Sequence, residues 1–255
     1  MPKPSTRPMP RLFVIRHGET EWSLNGRHTG RSDIPLTPNG INTVSSKSDQ
    51  VVGHDKLIDP RTLAKIVISP RQRARKTFEL LFGNHISELE CADDPEGVTL
   101  ITEEVREWDY GDYEGLKPHE IKEKNPTWNI WTDGCPGGES VEEMTARVDS
   151  VIARIREVHR RYVEEGLGKR DTLIFSHGHF SRVLISRWME FTPALGTSLF
   201  FSYVPPMPVP FITFPSEFYY KGTHFNFEAG GIALLSYNHG SLKEPSLNGL
   251  NLYAY

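Results

Sequence analysis

Three short polar clusters contain the residue types that phosphoryl transfer needs. Their sequences are Arg16-His17-Gly18-Glu19-Thr20, Ser69-Pro70-Arg71-Gln72-Arg73 and Ser176-His177-Gly178-His179. A neutral imidazole can attack phosphorus as a nucleophile, and arginine neutralises phosphoryl oxygens through a planar set of charged donors. The clusters therefore predict a site at which a phosphate ester is attacked by histidine.

Each cluster supplies a defined part of this chemistry. One of His17 and His177 would attack, and the other would hydrogen-bond the phosphate in its protonated form. Arg16 and Arg73 are the expected clamps, with Arg73 in the first turn of a helix, where the dipole also favours an anion. Arg71 and Arg75 are interpreted instead as a solvated helix face.

A proton donor for the leaving alkoxide is expected from the acidic and aromatic stretch 105–115. Glu107 is the best candidate, and it could later act as base on the water that cleaves phosphohistidine. Each of these residues alone has an ordinary structural explanation, including a surface position for Glu107 and Glu114. The joint pattern favours catalysis.

The elements that must position these clusters are short apolar strands alternating with helices. Strands are predicted at 12–15, 64–68, 171–175 and 231–237. The first three end at the polar clusters, and ligands lie outside the carboxyl ends of parallel strands. The pattern predicts an α/β three-layer sandwich with a mostly parallel central sheet.

Four helices are predicted between and after the strands. The segment 38–52 gives a weak signal, while 70–82 follows an apparent N-cap at Ser69, with Pro70 next and Gln72 as capping-box partner. The segment 141–164 has the strongest apolar periodicity, and Ser140 and Glu143 form a capping box before it. The fourth helix is predicted at 179–190.

The remaining segments define the predicted domain organisation. Residues 1–10 contain four prolines and are interpreted as a flexible tail, and 11–255 as one domain. Within it, a Pro- and aromatic-rich insertion at about 191–228 cannot form a regular helix. Such an insertion is typically a lid, a binding loop or an oligomer contact, so a homo-oligomer is among the expectations.

Composition excludes several classes of protein. The chain has 255 residues, 37% hydrophobic and 24% charged, as in globular proteins, and its net charge of -4 favours neither nucleic acid nor an anionic membrane as partner. Cys91 and Cys135 give no disulfide framework. No apolar run reaches the ~20 residues of a membrane span, and the tail lacks the apolar core of a signal peptide. A cytoplasmic enzyme is expected.

No metal and no other cofactor is predicted. The histidines at 17, 28, 177 and 179 lack the spacing of a zinc-protease motif, and the acidic stretch 91–96 does not match a calcium-binding loop.

In this order, the motifs resemble the histidine phosphatase superfamily, which is also called phosphoglycerate mutase-like. Arg16-His17-Gly18 matches its N-terminal signature, and the stretches 22–33, 35–40, 69–77 and 177–178 are similar to the family as well. The resemblance covers residues 11–190 and resumes at 229–237. It implies the phosphoglycerate mutase-like fold.

The resemblance also implies a role for individual residues. His17 becomes the phosphorylated nucleophile and Glu107 the proton donor and acceptor. The substrate would be bound by residues in the matching motifs: Arg16, Arg73 and His177 in the phosphate pocket, and Thr29, Gly30, Ser69 and Gly178 around it.

Within the family, the stretches 106–115, 128–135 and 177–182 are similar to sugar bisphosphatases. This likeness implies that Tyr110 and Arg182 hold the sugar and its second phosphate. It implies a small sugar bisphosphate as substrate, sedoheptulose 1,7-bisphosphate ahead of fructose 1,6-bisphosphate, and a role in moving carbon towards pentose phosphates.

Two other functions stay open at this point. A cofactor-dependent phosphoglycerate mutase would use the same histidine but return the phosphoryl group to bound substrate, a difference of water access that sequence alone separates poorly. A catalytically silent domain that binds phospho-ligands or proteins belongs to another class. Against it, every proposed catalytic position carries a competent residue type.

Overall fold

Four parallel strands form most of the sheet in the computed structural model, which describes residues 7–89, 97–191 and 225–254. Two further strands extend the sheet at one edge: the first is antiparallel to its parallel neighbour, and the second is antiparallel to the first. The six strands of the described sheet are β1 (Leu12–Arg16), β2 (Leu63–Ile68), β3 (Thr99–Ile101), β4 (Asp171–Ser176), β5 (Ile232–Tyr237) and β6 (Pro245–Leu252). Their order across the sheet is β3-β2-β4-β1-β5-β6.

Helices cover both faces of this sheet. The helices of the described residues are α1 (Glu21–Asn25), α2 (Pro38–Ser45), α3 (Ser48–Val51), α4 (Gln72–Phe82), α5 (Pro118–Lys124), α6 (Ile130–Asp133), α7 (Val141–Arg160) and α8 (Gly178–Trp188). Successive strand residues point to opposite faces. Leu12 and Val14 therefore pack in a core with α7 and α8, whereas Phe13 and Ile15 pack in a second core with α2, α3 and α4. The predicted three-layer sandwich with a mostly parallel sheet is confirmed.

The four predicted strands are present, because each is mainly apolar and mostly buried between two helical layers. The strands β3 and β6 were not predicted. Strand β3 has only three residues, all exposed, and β6 starts at a proline and contains Asn and Gly.

The helix predictions differ from the structure mainly at the ends. Segment 38–52 is two helices, α2 and α3. The helix expected at 70–82 starts at Gln72, whose N–H donates to Oδ1 of Asp33 at 2.8 Å. The predicted N-cap role of Ser69 is wrong, because Arg71 is still extended and is itself the residue before the helix; the Ser69 hydroxyl lies 2.7 Å from His177 Nε2. The capping box of Ser140 and Glu143 is confirmed, and α7 continues as a π-helical turn, Arg161–Glu165.

Two predicted segments fall partly or largely outside the described residues. These are the tail 1–10, of which residues 1–6 are not described, and the insertion 191–228, of which 192–224 are not. In the parts of the chain that the structure describes, every helix is too short or too polar to cross a membrane.

Candidate active site

The carboxyl ends of β1, β2 and β4 bring the three polar clusters together. Arg16 is paired with Ser176, and Ile68 with Phe175, so that the three strands end at neighbouring positions. Beyond the last pairs, the His17 N–H donates to the Ser176 carbonyl at 3.0 Å. The imidazole rings of His17 and His177 then lie with centroids 5.2 Å apart, edge to face.

The His17 ring is fixed with one nitrogen left free for chemistry. Nδ1 lies 2.8 Å from the Gly18 carbonyl, which can only accept, so Nδ1 carries the proton and Nε2 its lone pair. Burial, followed by the charges of Arg73 and Arg16, lowers the pKa of His17 well below 6.5. The ring is therefore the neutral imidazole that nucleophilic attack requires.

His177 lies behind His17 and is fully buried. Nε of Arg73 donates to its Nδ1 at 3.2 Å, so the ring proton is on Nε2, which donates to Oγ of Ser69 at 2.7 Å. Burial and then the Arg73 charge lower the pKa of His177 well below 6.5. This differs from the expected protonated ring, because burial and the adjacent guanidinium both disfavour a second positive charge.

Arg73 links His177 to the loop that follows α1. Its Nη1 donates to the Ser32 carbonyl at 2.8 Å and its Nη2 to the Thr29 carbonyl at 3.0 Å. The side chain is fully buried. Its charge thus lies at the base of the site, and its hydrogen bonds also hold the loop that presents Thr29.

Gly30, in the same loop, contacts protein on every side. Its N–H donates to both carboxylate oxygens of Glu114 at 3.0 Å. A Cβ at this position would lie 2.4 Å from the Trp108 carbonyl oxygen, which explains why glycine is required there.

Glu107 lies at the amino end of α8. Its Oε1 accepts the N–H groups of Trp108 at 2.9 Å and Phe180 at 2.8 Å, and its Oε2 accepts the N–H of His179 at 3.1 Å. The carboxylate therefore caps the helix that follows His177. These three bonds fix its orientation without using any side-chain donor.

Arg16 and Arg182 bring two guanidiniums to the same cleft. Arg16 Nη1 donates to the Phe227 carbonyl, and Arg182 Nη2 donates to Oδ1 of Asn226 at 3.1 Å. Within the described chain the Nε of each is buried without a hydrogen-bond partner. Burial lowers the pKa of both arginines, although a guanidinium stays charged in proteins. Two buried, unsatisfied cationic donors indicate anionic ligands.

These side chains surround a cleft of about 200 Å³. Seven of the predicted site residues line it: Arg16, His17, Thr29, Glu107, Tyr110, Gly178 and Arg182. The other four, Gly30, Ser69, Arg73 and His177, are buried behind the lining. Gly178 lies against Arg16, since a Cβ there would be in van der Waals contact, 3.4 Å from Cζ of Arg16.

This geometry agrees with the comparison against protein families. The model of the histidine phosphatase superfamily (branch 1) matches residues 12–203. The chain belongs to the histidine phosphatase superfamily.

Relatives of this histidine phosphatase include named enzymes. It is 33% identical to sedoheptulose 1,7-bisphosphatase of Saccharomyces cerevisiae, over 93% of this chain and 91% of the yeast protein. It is 40% identical to an acid phosphatase of Mycobacterium tuberculosis, over 73% of this chain and 79% of the relative. A 2,3-bisphosphoglycerate-dependent phosphoglycerate mutase of Cytophaga hutchinsonii is 29% identical, over 72% and 80% respectively.

A solved structure from Mycobacterium tuberculosis, that of an open reading frame product, shares the fold. It superposes with a TM-score of 0.69 and 31% identity, covering 96% of this chain and 99% of that one. The predicted fold and family are thus confirmed. The predicted class of enzyme is confirmed as well: the protein is a phosphoric monoester hydrolase.

The histidine phosphatase cleft also contains two histidines for which the sequence suggested no catalytic role. The Tyr110 hydroxyl lies 2.7 Å from Nδ1 of His179, and the ring of His28 stacks on that of His179 at 6.1 Å. Burial raises the pKa of Tyr110 well above 10 and lowers that of His179 well below 6.5, so both are neutral. The position of His179, right after His177-Gly178, was a usable signal, whereas that of His28 gave none.

Three residues weighed in the sequence lie outside the cleft lining. Arg75 is exposed on α4, as expected of a solvated face. Arg71 pairs with Glu103 at 3.0 Å, and Glu114 accepts the N–H groups of Gly30 and Ser32. Glu114 is therefore a structural carboxylate of the Thr29 loop.

Among the described residues, no group of three or more His, Cys, Asp or Glu side chains is arranged to hold a metal ion. The acidic stretch 91–96 lies outside those residues.

Proposed function

We propose that this enzyme hydrolyses a small sugar bisphosphate through a phosphohistidine on His17. Sedoheptulose 1,7-bisphosphate is the preferred substrate, ahead of fructose 1,6-bisphosphate. The observation that carries the proposal is a neutral, oriented His17 in a cleft with two guanidiniums, those of Arg16 and Arg182, whose Nε–H groups have no partner in the described chain. The name of the yeast relative, sedoheptulose 1,7-bisphosphatase, supports the choice of sugar.

In the first step, His17 Nε2 attacks phosphorus and the bond from phosphorus to the ester oxygen breaks. Glu107 transfers a proton to the departing alkoxide, which leaves as the alcohol. Arg16 donates to the phosphoryl oxygens, and Arg73 supplies positive charge from the base of the site, because the loose transition state concentrates charge on these atoms. His177 supports the phosphate pocket from behind His17, where Arg73 and Ser69 hold its ring.

In the second step, water replaces the alcohol. The Glu107 carboxylate takes a proton from this water while its oxygen attacks phosphorus, and the bond from phosphorus to Nε2 breaks. Orthophosphate leaves, and His17 returns to its neutral form with the proton still on Nδ1. The protons balance over the two steps, because Glu107 donates one in the first step and takes one back in the second.

The rest of the cleft would bind the sugar and its second phosphate. Arg182 binds the distal phosphate, and Thr29, Tyr110 and the start of α8 at Gly178 contact the remainder of the substrate. Gly30 and Ser69 contribute from behind the lining, by shaping the Thr29 loop and by orienting His177.

The deciding experiment is release of inorganic phosphate from a panel of sugar mono- and bisphosphates in the presence of EDTA. We expect sedoheptulose 1,7-bisphosphate to give the highest kcat/KM, with an acid-labile phosphoryl group trapped on His17. His17→Ala should lower turnover by about three orders of magnitude or more at unchanged circular dichroism, because it removes the nucleophile itself.

Each other outcome would reject a different part of the proposal. Substantial activity in His17→Ala would reject the mechanism. Preference for an unrelated monoester would reject the substrate and keep the chemistry. Net isomerisation of phosphoglycerate without phosphate release would indicate a mutase, and binding without turnover of any ester would indicate a silent domain.

A further inference from the structure

One short segment, residues 226–228, orients both guanidiniums of the cleft. The Phe227 carbonyl accepts from Nη1 of Arg16, and Oδ1 of Asn226 accepts from Nη2 of Arg182 at 3.1 Å. Each bond occupies an Nη and leaves the corresponding Nε without a partner in the described chain. The location of this segment therefore decides where both free Nε–H groups point.

The segment is held at both ends by one side chain of the last strand. Asn251 Oδ1 accepts the N–H of Glu228 at 2.8 Å, and its Nδ2 donates to the Asn226 carbonyl at 2.8 Å. Asn251 has a φ of 54°, in the left-handed region that asparagine tolerates better than most residues. A Cβ at Gly231 would lie 2.9 Å from this Oδ1, so the amide is also tightly packed.

We propose that Asn251 is a positioning residue for phosphate binding. Its amide fixes residues 226–228, and through them it fixes the orientation of Arg16 and Arg182. It does not line the cleft itself. The inference rests on the proposed function in one respect, since it takes these two arginines to be the anion-binding groups.

The test is Asn251→Gly, which deletes both hydrogen bonds and keeps a residue suited to positive φ. Calorimetric titration with inorganic phosphate should show a dissociation constant about fivefold to tenfold higher than in the wild type, as expected for the loss of two oriented hydrogen bonds. The KM for a bisphosphate should rise and its kcat/KM should fall at least as much as phosphate affinity does, because Arg16 contacts the phosphoryl group in the bound state and in the transition state.

Asn248→Gly is the matched control on the same strand. Asn248 is exposed, and its Oδ1 accepts from Oγ of Ser246 at 2.7 Å, away from residues 226–228. It should leave phosphate affinity unchanged. A lower melting temperature in Asn251→Gly with wild-type phosphate affinity would show that Asn251 is structural only and would overturn the proposal.

Asn226→Ala provides a second test that leaves the strand intact. It removes the acceptor for Arg182 but not the Phe227 carbonyl used by Arg16, so bisphosphate affinity should fall more than orthophosphate affinity. Equal affinities in variant and wild type would contradict the inference. If the wild type binds phosphate but hydrolyses no sugar bisphosphate, the proposed substrate fails while this test stands; if it binds no phosphate, both fail.

Discussion

His17 and Glu107 face one cleft, but the protein fixes them by different means. The His17 ring is oriented by a single bond from Nδ1 to the adjacent Gly18 carbonyl, which leaves Nε2 as the attacking atom. The Glu107 carboxylate is oriented by three backbone N–H groups, that of Trp108 and those of His179 and Phe180 at the start of α8. Both groups are thereby held in place before substrate arrives, as catalysis by positioning requires.

Glu107→Gln separates proton transfer from binding. The amide oxygen can keep the two bonds of Oε1, but the amide nitrogen would face the His179 N–H and lose one bond. We expect kcat to fall by about 10²-fold to 10⁴-fold, the range for a lost general acid, and KM to change little. With p-nitrophenyl phosphate, whose leaving group needs no proton, the first step should be nearly unaffected, so a burst of p-nitrophenol should precede slow turnover that is limited by the second step.

The control for this prediction is Glu103→Gln, an exposed carboxylate shortly before Glu107 that pairs with Arg71. It should have nearly wild-type kinetics. A Glu107→Gln enzyme with a large rise in KM and unchanged kcat would contradict the acid–base role.

At the residue level, sequence motifs predict which side chains lie in the site when these directly follow a strand. They do not predict side chains that come from distant parts of the chain. His17 and His177 follow apolar strands directly, so that their convergence could be predicted from topology. Asn226 and Asn251 lie far from these strands along the chain and reach the site only through hydrogen bonds to a neighbouring segment. No spacing in the sequence encodes such a contact.

At the level of elements, α7 holds the loop that carries Glu107. Arg147, on this helix, donates to the carbonyls of Glu104 and Arg106 at 3.0 and 2.9 Å and pairs with the buried Glu139 at 2.7 Å. Glu139 also accepts the Trp108 indole N–H through its carbonyl at 2.8 Å. The helix and the loop are thus joined by a buried ionic network.

Arg147→Met should destabilise the protein and impair catalysis together. Among the described residues, the variant leaves the buried Glu139 with Arg106 as its one cationic partner, at 3.4 Å, and we expect a loss of about 3 kcal/mol in the free energy of unfolding. Because two loop carbonyls lose their donor, kcat should also fall, measurably more than KM rises. Urea unfolding and steady-state kinetics on the same preparation measure both effects.

Arg154→Met is the matched control on the same helix. Arg154 pairs with Glu104 at 2.6 Å, but 53% of its side chain is exposed, and such surface pairs contribute about 0–1 kcal/mol. Equal effects of the two substitutions would contradict a specific role for Arg147.

The more deeply a strand is buried, the more clearly the sequence predicts it. Strands β1, β2, β4 and β5 were predicted because two-sided burial demands continuous apolar residues. All three residues of β3 are exposed, so the strand forms by pairing with β2 and has no buried apolar pattern that the sequence could reveal. The capping signal at Ser69 was wrong because the backbone stays extended at Arg71, so that the helix starts two residues later than the motif indicates.

At the level of the whole molecule, one buried histidine joins the layers of the sandwich. His159 on α7 is fully buried, with Nδ1 2.9 Å from the Tyr237 hydroxyl of β5 and Nε2 3.0 Å from Oγ1 of Thr172 of β4. Burial lowers the pKa of His159 from 6.5 to about 3. The folded protein therefore keeps this ring neutral at a pH where the unfolded chain binds a proton.

This difference predicts a loss of stability in acid. As pH falls from about 6.5 towards about 3, only the unfolded state takes up the His159 proton, so the free energy of unfolding should fall by up to about 1.4 kcal/mol per pH unit from this group. His159→Gln should remove this contribution, and urea unfolding at several pH values measures it. The other buried histidines are present in both the wild type and His159→Gln, so their contributions cancel when the two are compared. If the free energy of unfolding depended on pH identically in both proteins, the prediction would be contradicted.

The charge of the whole molecule and that of its cleft have opposite signs. The chain has a net charge of -4, yet Arg16, Arg27 and Arg182 line the cleft together with one carboxylate, Glu107. An anionic substrate is therefore attracted by a local field, which low-dielectric walls focus and salt screens over about 10 Å at 0.1 M.

Ionic strength should accordingly affect a bisphosphate more than a monophosphate. Between about 20 mM and about 500 mM salt, we expect kcat/KM for the bisphosphate to fall about fivefold or more, and that for a monophosphate to fall less. Arg182→Ala should lower bisphosphate affinity more than monophosphate affinity and reduce the difference between the two salt dependences. Arg61→Ala makes the same change in net charge at an exposed residue before β2, at the opposite end of the strand from the site, and should leave both salt dependences unaltered. If Arg61→Ala acted like Arg182→Ala, total charge rather than the cleft would govern substrate capture, and the distal phosphate could not be assigned to Arg182.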